Sequence, residues 1–452
     1  MKREAFKLLQ NWKASPNRKP LIIKGVRQCG KTWLLKAFGE ASYESTAYFN
    51  FDEQPELKDF FETTKDTARL LQNLSFAAGF PIKSGETLIV FDEIQECNAA
   101  LNSLKYFCEN APEYHIACAG SLLGVALSRP QAFPVGKVDF LELYPMTFME
   151  FLSANGDDSL RAYADSISSL DPVPELFASQ LTEKLRMYMI TGGMPEAVRS
   201  WTEERDVGRV QVVLMNLLDA YERDFAKHAD AAAFPKLSLI WGSIPSQLAR
   251  ENKKFLYKAI KEGSRAREYE DALFWLMNAG LIRLVHRVSK PALPLSAYSD
   301  SGAFKAYACD VGLLRRQARL APSAFTEGDR LFTEFKGALS ENFALQSLIP
   351  QLDTPLMYWS DGKSRYEVDF IIQVDNDVYP LEVKSSGNVE SKSLRAYGEL
   401  FPDATPLRVR LSMLNLKKDG QVLNIPLYLA DHAVRLITLA DTMHNPPCTQ
   451  SL

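Results

Sequence analysis

Eight consecutive residues, Gly25-Val26-Arg27-Gln28-Cys29-Gly30-Lys31-Thr32, combine two glycines, a lysine and a hydroxyl at the spacing of a loop that wraps phosphate. Such a loop aims several backbone N–H groups at an anion, and the helix that follows adds the favourable end of its dipole. Gly25 and Gly30 permit the tight path. Lys31 is expected to set an ammonium group against the β- and γ-phosphates of a nucleotide, and the Thr32 hydroxyl to ligate magnesium. Gly25, Val26, Arg27, Gln28, Cys29, Gly30, Lys31, Thr32 and Trp33 are therefore the expected nucleotide-binding residues, with Trp33-Leu34-Leu35-Lys36-Ala37 opening the helix.

A second constellation completes this chemistry. Four apolar residues, Leu88-Ile89-Val90-Phe91, carry Asp92-Glu93 to a strand end, where ligands of open α/β sheets bind. Asp92 is expected to hold magnesium through water and Glu93 to polarise the attacking water, which favours hydrolysis over binding alone. Ser121, after Ala117-Cys118-Ala119-Gly120, either touches the γ-phosphate or lytic water as a sensor or caps a helix starting at Leu122. Arg129 and Lys137 are loop cations that either supply charge to a transition state across a subunit interface or are simply solvated.

A third set of residues could do different work. Asp369 and Glu382-Val383-Lys384, with Glu341 before them and Glu367 two residues from Asp369 on the same strand face, offer the carboxylates and lysine that a metal-dependent nuclease brings to a scissile phosphate. Asp369 and Glu382 would hold a second divalent metal, with Glu341 and Lys384 as partners. Such charges also occur at strand edges merely for solubility.

The elements that must position these groups can be read from the patterning. Residues 1–150 alternate β-rich runs with helical patterns, the rhythm of a parallel sheet. The runs are Pro20-Leu21-Ile22-Ile23-Lys24, Thr46-Ala47-Tyr48-Phe49-Asn50-Phe51, Thr87-Leu88-Ile89-Val90-Phe91 and His115-Ile116-Ala117-Cys118-Ala119. Four buried strands are expected. Residues 151–235 read as a helical lid, including an amphipathic run from Val210 to Phe225. In 236–325, a helix over Tyr269 to Ala279, ended by Gly280, precedes the strand-like Leu281-Ile282-Arg283-Leu284-Val285, the order of a winged helix's third helix and wing. Residues 326–452 form a second α/β region, with helices at Ala338 to Leu348 and near Leu394 to Leu400 and strands at Val368 to Ile372 and Val378 to Val383.

Composition bounds the rest. At 452 residues the chain calls for two or three domains, and 46% hydrophobic with 24% charged residues is an ordinary globular balance. A net charge of −4 removes a whole-chain argument for nucleic acid. Residues 250–319, however, hold 14 Lys and Arg against 7 Asp and Glu, whereas residues 330–452 hold 12 against 15. Six cysteines without a CxxC pair suit a reducing cytoplasm. No apolar run approaches the roughly 20 residues of a membrane helix, and the charged N-terminus does not resemble a signal peptide.

The residues together resemble the AAA-type P-loop ATPases of the archaeal-ATPase branch, relatives of the signal-transducing STAND ATPases, many with a C-terminal region of unknown function. The carriers of the resemblance are Gly25 to Thr32, Tyr48-Phe49-Asn50-Phe51-Asp52, Asp92-Glu93-Ile94-Gln95, Ala119-Gly120-Ser121, Leu143 to Phe151 and Gly192-Gly193-Met194-Pro195-Glu196. The resemblance implies ATP with Mg2+ as the bound species and an adenine-packing role for Pro195, the alternative being a helix-breaking turn. Lys137 stands where many relatives carry arginine. The C-terminal carboxylates resemble the PD-(D/E)xK family, with the Glu-x-Lys intact and no literal Pro-Asp pair.

The fold expected is α/β: a P-loop AAA-type parallel-sheet domain, a helical lid, a winged-helix-like region and a restriction-endonuclease-like α/β domain. The function expected is an ATPase that switches a C-terminal module acting on DNA or a protein partner. The alternatives are an ATP-regulated, metal-dependent DNA nuclease and a protein-recognition switch in which the nuclease-like fold is inactive. The setting expected is the cytoplasm, without membrane attachment, and the ATPase-switch reading includes assembly as a homo-oligomer.

Overall fold

A computed structural model describes residues 1–121, 124, 136–250, 253–322, 333–362, 365–385 and 391–442. The chain divides into two compact units, Met1–Pro145 with Phe274–Leu281, and Met146–Leu273 with Ile282–Leu452.

In the first unit, chain order runs α1 (Ala5–Ala14), β1 (Leu21–Lys24), α2 (Lys31–Ser42), β2 (Ser45–Asn50), α3 (Lys58–Thr63), α4 (Thr67–Ala78), β3 (Thr87–Asp92), α5 (Asn98–Asn110), β4 (His115–Ala119) and β5 (Asp139–Glu142). The strands form one sheet in the order β2-β3-β4-β1-β5, and every neighbouring pair is parallel. Central parallel strands are covered on both faces, which is why β3 reads as an unbroken apolar run rather than an alternation. Leu88, Ile89, Val90 and Phe91 are all fully buried.

The rings of Phe51, Phe61 and Phe91 meet at centroid distances of 5.6–5.7 Å, and burying each contributes about 1.5–3 kcal/mol. β5 is a fifth strand beyond the four expected. It is short, lies at the sheet edge and buries only Leu141 while Phe140 is exposed, so its sequence carries little apolar signal. The end of the helix Ala266–Asn278 and the residues after it also belong to this unit, with Gly280 lying against the backbone of Val26.

The second unit begins with helices Phe148–Ala154, Asp158–Ser166, Glu175–Thr191, Pro195–Glu204, Val207–His228 and Phe234–Leu248, in keeping with the helical pattern read for 151–235. It continues into a mixed sheet of β6 (Ile282–Val288), β7 (Ser299–Ala308), β8 (Met357–Ser360), β9 (Glu367–Val374), β10 (Asp377–Lys384), β11 (Arg408–Ser412), β12 (Lys417–Asp419) and β13 (Val422–Pro426). Their order is β12-β13-β11-β10-β9-β8-β6-β7.

This sheet runs through the expected boundary between 236–325 and 326–452. The hairpin expected as a separate wing is integral to the C-terminal sheet, because β6 pairs antiparallel with β7 and parallel with β8. Burial explains why: Ala303 to Ala308 are buried without alternation, and such a strand needs cover on both faces. The helix Thr333–Leu348 precedes the antiparallel run β8-β9-β10, and the helix Lys392–Leu400 leads to β11, which is parallel to β10. Among the described residues, no helix is long and apolar enough to cross a membrane.

Candidate functional site

Lys24, Asp92 and Ala119 end three adjacent strands, β1, β3 and β4, so the groups that follow each of them gather at one edge of the sheet. The loop after β1 turns through Gly25 (φ 148°), Gln28 (φ 64°) and Gly30 (φ 95°) before α2 begins at Lys31. Gly25 is required there, since a Cβ would lie 2.2 Å from the carbonyl oxygen of Leu143. The Lys31 ammonium donates to the carbonyls of Gly25 and Val26 at 2.8 and 2.9 Å, folded over the loop it would serve. Trp33, on the first turn of α2, is 49% exposed.

The carboxylates are held by partners that fix their directions. Asp92 Oδ2 accepts from Thr32 Oγ1 at 2.6 Å and from Tyr48 OH at 2.7 Å, and Oδ1 accepts from the Glu93 backbone at 3.0 Å. The hydroxyl and the carboxylate that a magnesium ion would join therefore already face one another, and this donor set fits the ion. Glu93 sits at φ 48°, a left-handed backbone that costs a residue with a side chain about 1–3 kcal/mol. Its Oε2 accepts from Gln95 Nε2 at 2.5 Å and from the Ser121 backbone and Oγ at 3.1 and 3.0 Å. Burial alone would raise its pKa, but the bonds from Gln95 and Ser121 outweigh it and hold the carboxyl below its ordinary range. Glu93 is therefore ionised at neutral pH, as a base must be.

Sequence reasoning missed two contributors. Tyr48 was visible only as part of a family-like string, and Arg3 carried no signal. Arg3 is buried and donates to the Cys29 carbonyl at 2.9 Å and the Tyr144 carbonyl at 2.6 Å, tying the phosphate loop to the segment after β5. Lys137 pairs with Glu109 at 2.9 Å on the unit's own surface. Arg129 lies outside the described residues.

Pro195 is the first residue of its helix, a position that suits proline because its missing N–H would have no helical partner. The two glycines before it have a structural reason of their own. A Cβ on Gly192 would lie 2.2 Å from Asp310 Oδ1, and one on Gly193 2.1 Å from the Met146 carbonyl. Asp310 is fully buried and accepts from the backbones of Gly193 (2.6 Å) and Leu313 (2.9 Å) and from Gln346 (3.1 Å). Asp310→Ala would strand these donors and is expected to lower unfolding stability by about 3 kcal/mol in urea titrations, with Asp310→Asn, which keeps an acceptor, losing less.

The C-terminal carboxylates each meet a partner. Lys384 Nζ lies 2.5 Å from Glu382 Oε1, Lys305 Nζ 2.5 Å from Glu367 Oε1, and Lys253 pairs with Glu341. Asp369 Oδ2 accepts from the Val383 backbone at 2.9 Å, and burial together with the charge of Glu341 pushes its carboxyl up to about 7. Among the described residues, no group of three or more His, Cys, Asp or Glu side chains is arranged to hold a metal ion.

Residues 17–152 match the family model described as an AAA domain, a span that includes Gly25–Thr32, Asp92, Glu93 and Ser121. Residues 182–324 and 336–428 match two further models, each described as a domain of unknown function (DUF8612 and DUF4143). β6 and β7 lie in the first of these spans and β8 to β13 in the second, yet they form one sheet.

Similar solved structures include a Walker-type ATPase of Pyrococcus abyssi, at 15% identity, covering 70% of this chain and 95% of that one with a TM-score of 0.45. Others are a RuvB variant of Thermotoga maritima (15% identity, 65% and 88% covered, TM-score 0.30) and a signal-transduction ATPase with numerous domains and a tetratricopeptide-repeat sensor from Pyrococcus horikoshii (13%, 78% and 46%, TM-score 0.24). Comparison with curated proteins gave no match.

Proposed function

We propose that the AAA domain binds ATP with magnesium and hydrolyses it, and that this turnover switches a C-terminal module acting on DNA or a protein partner. The observation that carries the reading is the gathering of Lys31, Thr32, Asp92, Glu93 and Ser121 at one sheet edge, with an ionised Glu93. Lys31 would leave the Gly25 and Val26 carbonyls for the β- and γ-phosphates, and Thr32 with Asp92 would hold magnesium, which neutralises phosphate charge. The loop N–H groups and the start of α2 orient the phosphate chain. Among the described residues, the three bonds to Glu93 fall on Oε2, which leaves Oε1 to take a proton from the attacking water. Ser121 then acts by fixing Glu93, and Pro195 is proposed to pack against adenine.

Phosphate release from ATP by the purified chain tests the reading: activity is expected with magnesium and loss of activity on chelation, and no release above a Lys31→Ala control would overturn it. For the module, protein recognition by a nuclease-like fold that does not cleave is favoured by the lysine partners of Glu341, Glu367 and Glu382. The basic surplus of residues 250–319 is smaller at the surface than its count, because Lys305 and Arg315 are fully buried. Lys258, Lys261, Arg265 and Arg267 remain exposed. If they engage DNA, binding should weaken by about 0.9 log units for each tenfold rise in salt per phosphate contact. A salt-independent result in a fluorescence-anisotropy titration leaves the protein partner as the target.

A further inference from the structure

Lys305 is a fully buried charge of the second unit. It stands on β7 and reaches across the sheet face toward β9, where its ammonium lies 2.5 Å from Glu367 Oε1 and 3.9 Å from Asp369 Oδ1. In the sheet order β7 is separated from β9 by β6 and β8, roughly 14 Å at the usual strand spacing. The lysine and glutamate side chains together span that gap, with the ammonium over the ring of Tyr358 on β8, 4.9 Å from its centroid. A second cation arrives from elsewhere in the chain: Lys253 pairs with the buried Glu341, whose other oxygen accepts from Tyr307 OH at 3.2 Å.

A divalent cation seeks about six oxygens in its own shell. At each of Glu341, Glu367, Asp369 and Glu382, at least one carboxylate oxygen is already engaged by an ammonium group, the Tyr307 hydroxyl or the Val383 N–H. A metal at Glu341 or Glu367 would have to compete with an ammonium group, that of Lys305 having no exposed surface, while Asp369 Oδ1 lies 3.9 Å from Lys305 and Glu382 Oε2 has no hydrogen-bond partner. Two such oxygens fall short of a metal shell, and among the described residues no three candidate ligands are grouped to hold an ion, so the residues do not fit the second divalent metal that the Asp369, Glu382 and Lys384 pattern raised.

We infer that this cluster is an ion lock, in which the ammonium groups of Lys253 and Lys305 pair with Glu341 and Glu367 and so fasten β7 and the segment around Lys253 to β9 and the helix Thr333–Leu348 without metal. The inference is independent of the ATPase reading, because it concerns groups of the second unit alone and is read without nucleotide.

Manganese binding to the full-length, nucleotide-free chain, followed by electron paramagnetic resonance and by the thermal unfolding midpoint, tests it. Wild type is expected to show no saturable Mn2+ site that Asp369→Asn removes, and no midpoint rise with Mn2+ that Asp369→Asn abolishes. Lys305→Met keeps the side chain's length and removes its charge, and should lower the midpoint by about 10 °C in the absence of metal. It should also gain an Asp369-dependent Mn2+ site at least about ten-fold tighter than any Asp369-dependent binding in wild type, recovering part of the midpoint. Lys305→Arg should behave as wild type toward Mn2+. A wild-type Mn2+ site lost in Asp369→Asn, or a Lys305→Met protein with an unchanged midpoint, would overturn the lock. Should Lys305→Met fail to fold, the wild-type and Asp369→Asn titrations still decide.

Discussion

Lys31→Ala is expected to weaken ATP binding by about 100-fold, or ~3 kcal/mol, and to reduce hydrolysis to background. The ammonium of Lys31 is nearly buried and turned inward onto Gly25 and Val26, so it is already desolvated when phosphate arrives. Exchanging two neutral carbonyl acceptors for charged phosphate oxygens makes its hydrogen bonds charge-assisted and stronger. The substitution also removes two bonds within the loop itself, which makes the nucleotide-free protein part of the measurement. Calorimetric titration of ATP against both proteins, alongside their thermal midpoints without nucleotide, separates the two effects. A lost affinity with a midpoint within a few degrees of wild type assigns the loss to phosphate. Unchanged affinity would remove Lys31 from the site.

The loop was legible because its chemistry is local. Gly25, Gly30, Lys31 and Thr32 lie within eight residues, and the φ values of 148° and 95° at the two glycines are the ones that a tight phosphate turn demands of them. Asp92, Glu93 and Ser121 were legible for a related reason, since each follows a short apolar run and parallel strands deliver their ends to one edge. Arg3 was not legible, because its partners at Cys29 and Tyr144 lie 26 and 141 residues away and nothing in its neighbourhood signals a buried guanidinium. β6 and β7 had a recognisable helix-strand order but no signal for their partner, because pairing β6 with β8 is a long-range choice made by burial. The basic count over residues 250–319 is likewise blind to burial: composition treats Lys305, Arg315 and Asp310 as surface charge, whereas all three are buried, Lys305 meeting carboxylates and Arg315 donating to the carbonyls of Ile190 and Leu320.

Glu93→Gln should leave ATP affinity within about three-fold of wild type and lower kcat by about 10²–10⁴-fold, the range for removing a general base. The side chain's fixed direction makes this separation sharp. Glutamine keeps an oxygen that can accept from Gln95 and Ser121, and it inherits the same backbone at φ 48°, so the site's shape survives while its proton acceptor does not. The pH profile supplies an independent check. Because the hydrogen bonds from Gln95 and Ser121 hold Glu93 below the ordinary glutamate value of 4.5, the base is ionised across neutrality, and its protonation should slow turnover only below that value. Ser121→Ala removes one of those donors and should raise the acid limb while lowering kcat less than Glu93→Gln does. Nucleotide binding and phosphate release measured on both variants decide the assignment: equal hydrolysis by Glu93→Gln and wild type would remove Glu93 as the base. If Glu93→Gln lost affinity as severely as turnover, the carboxylate would instead belong to binding, and the attacking water would need another acceptor.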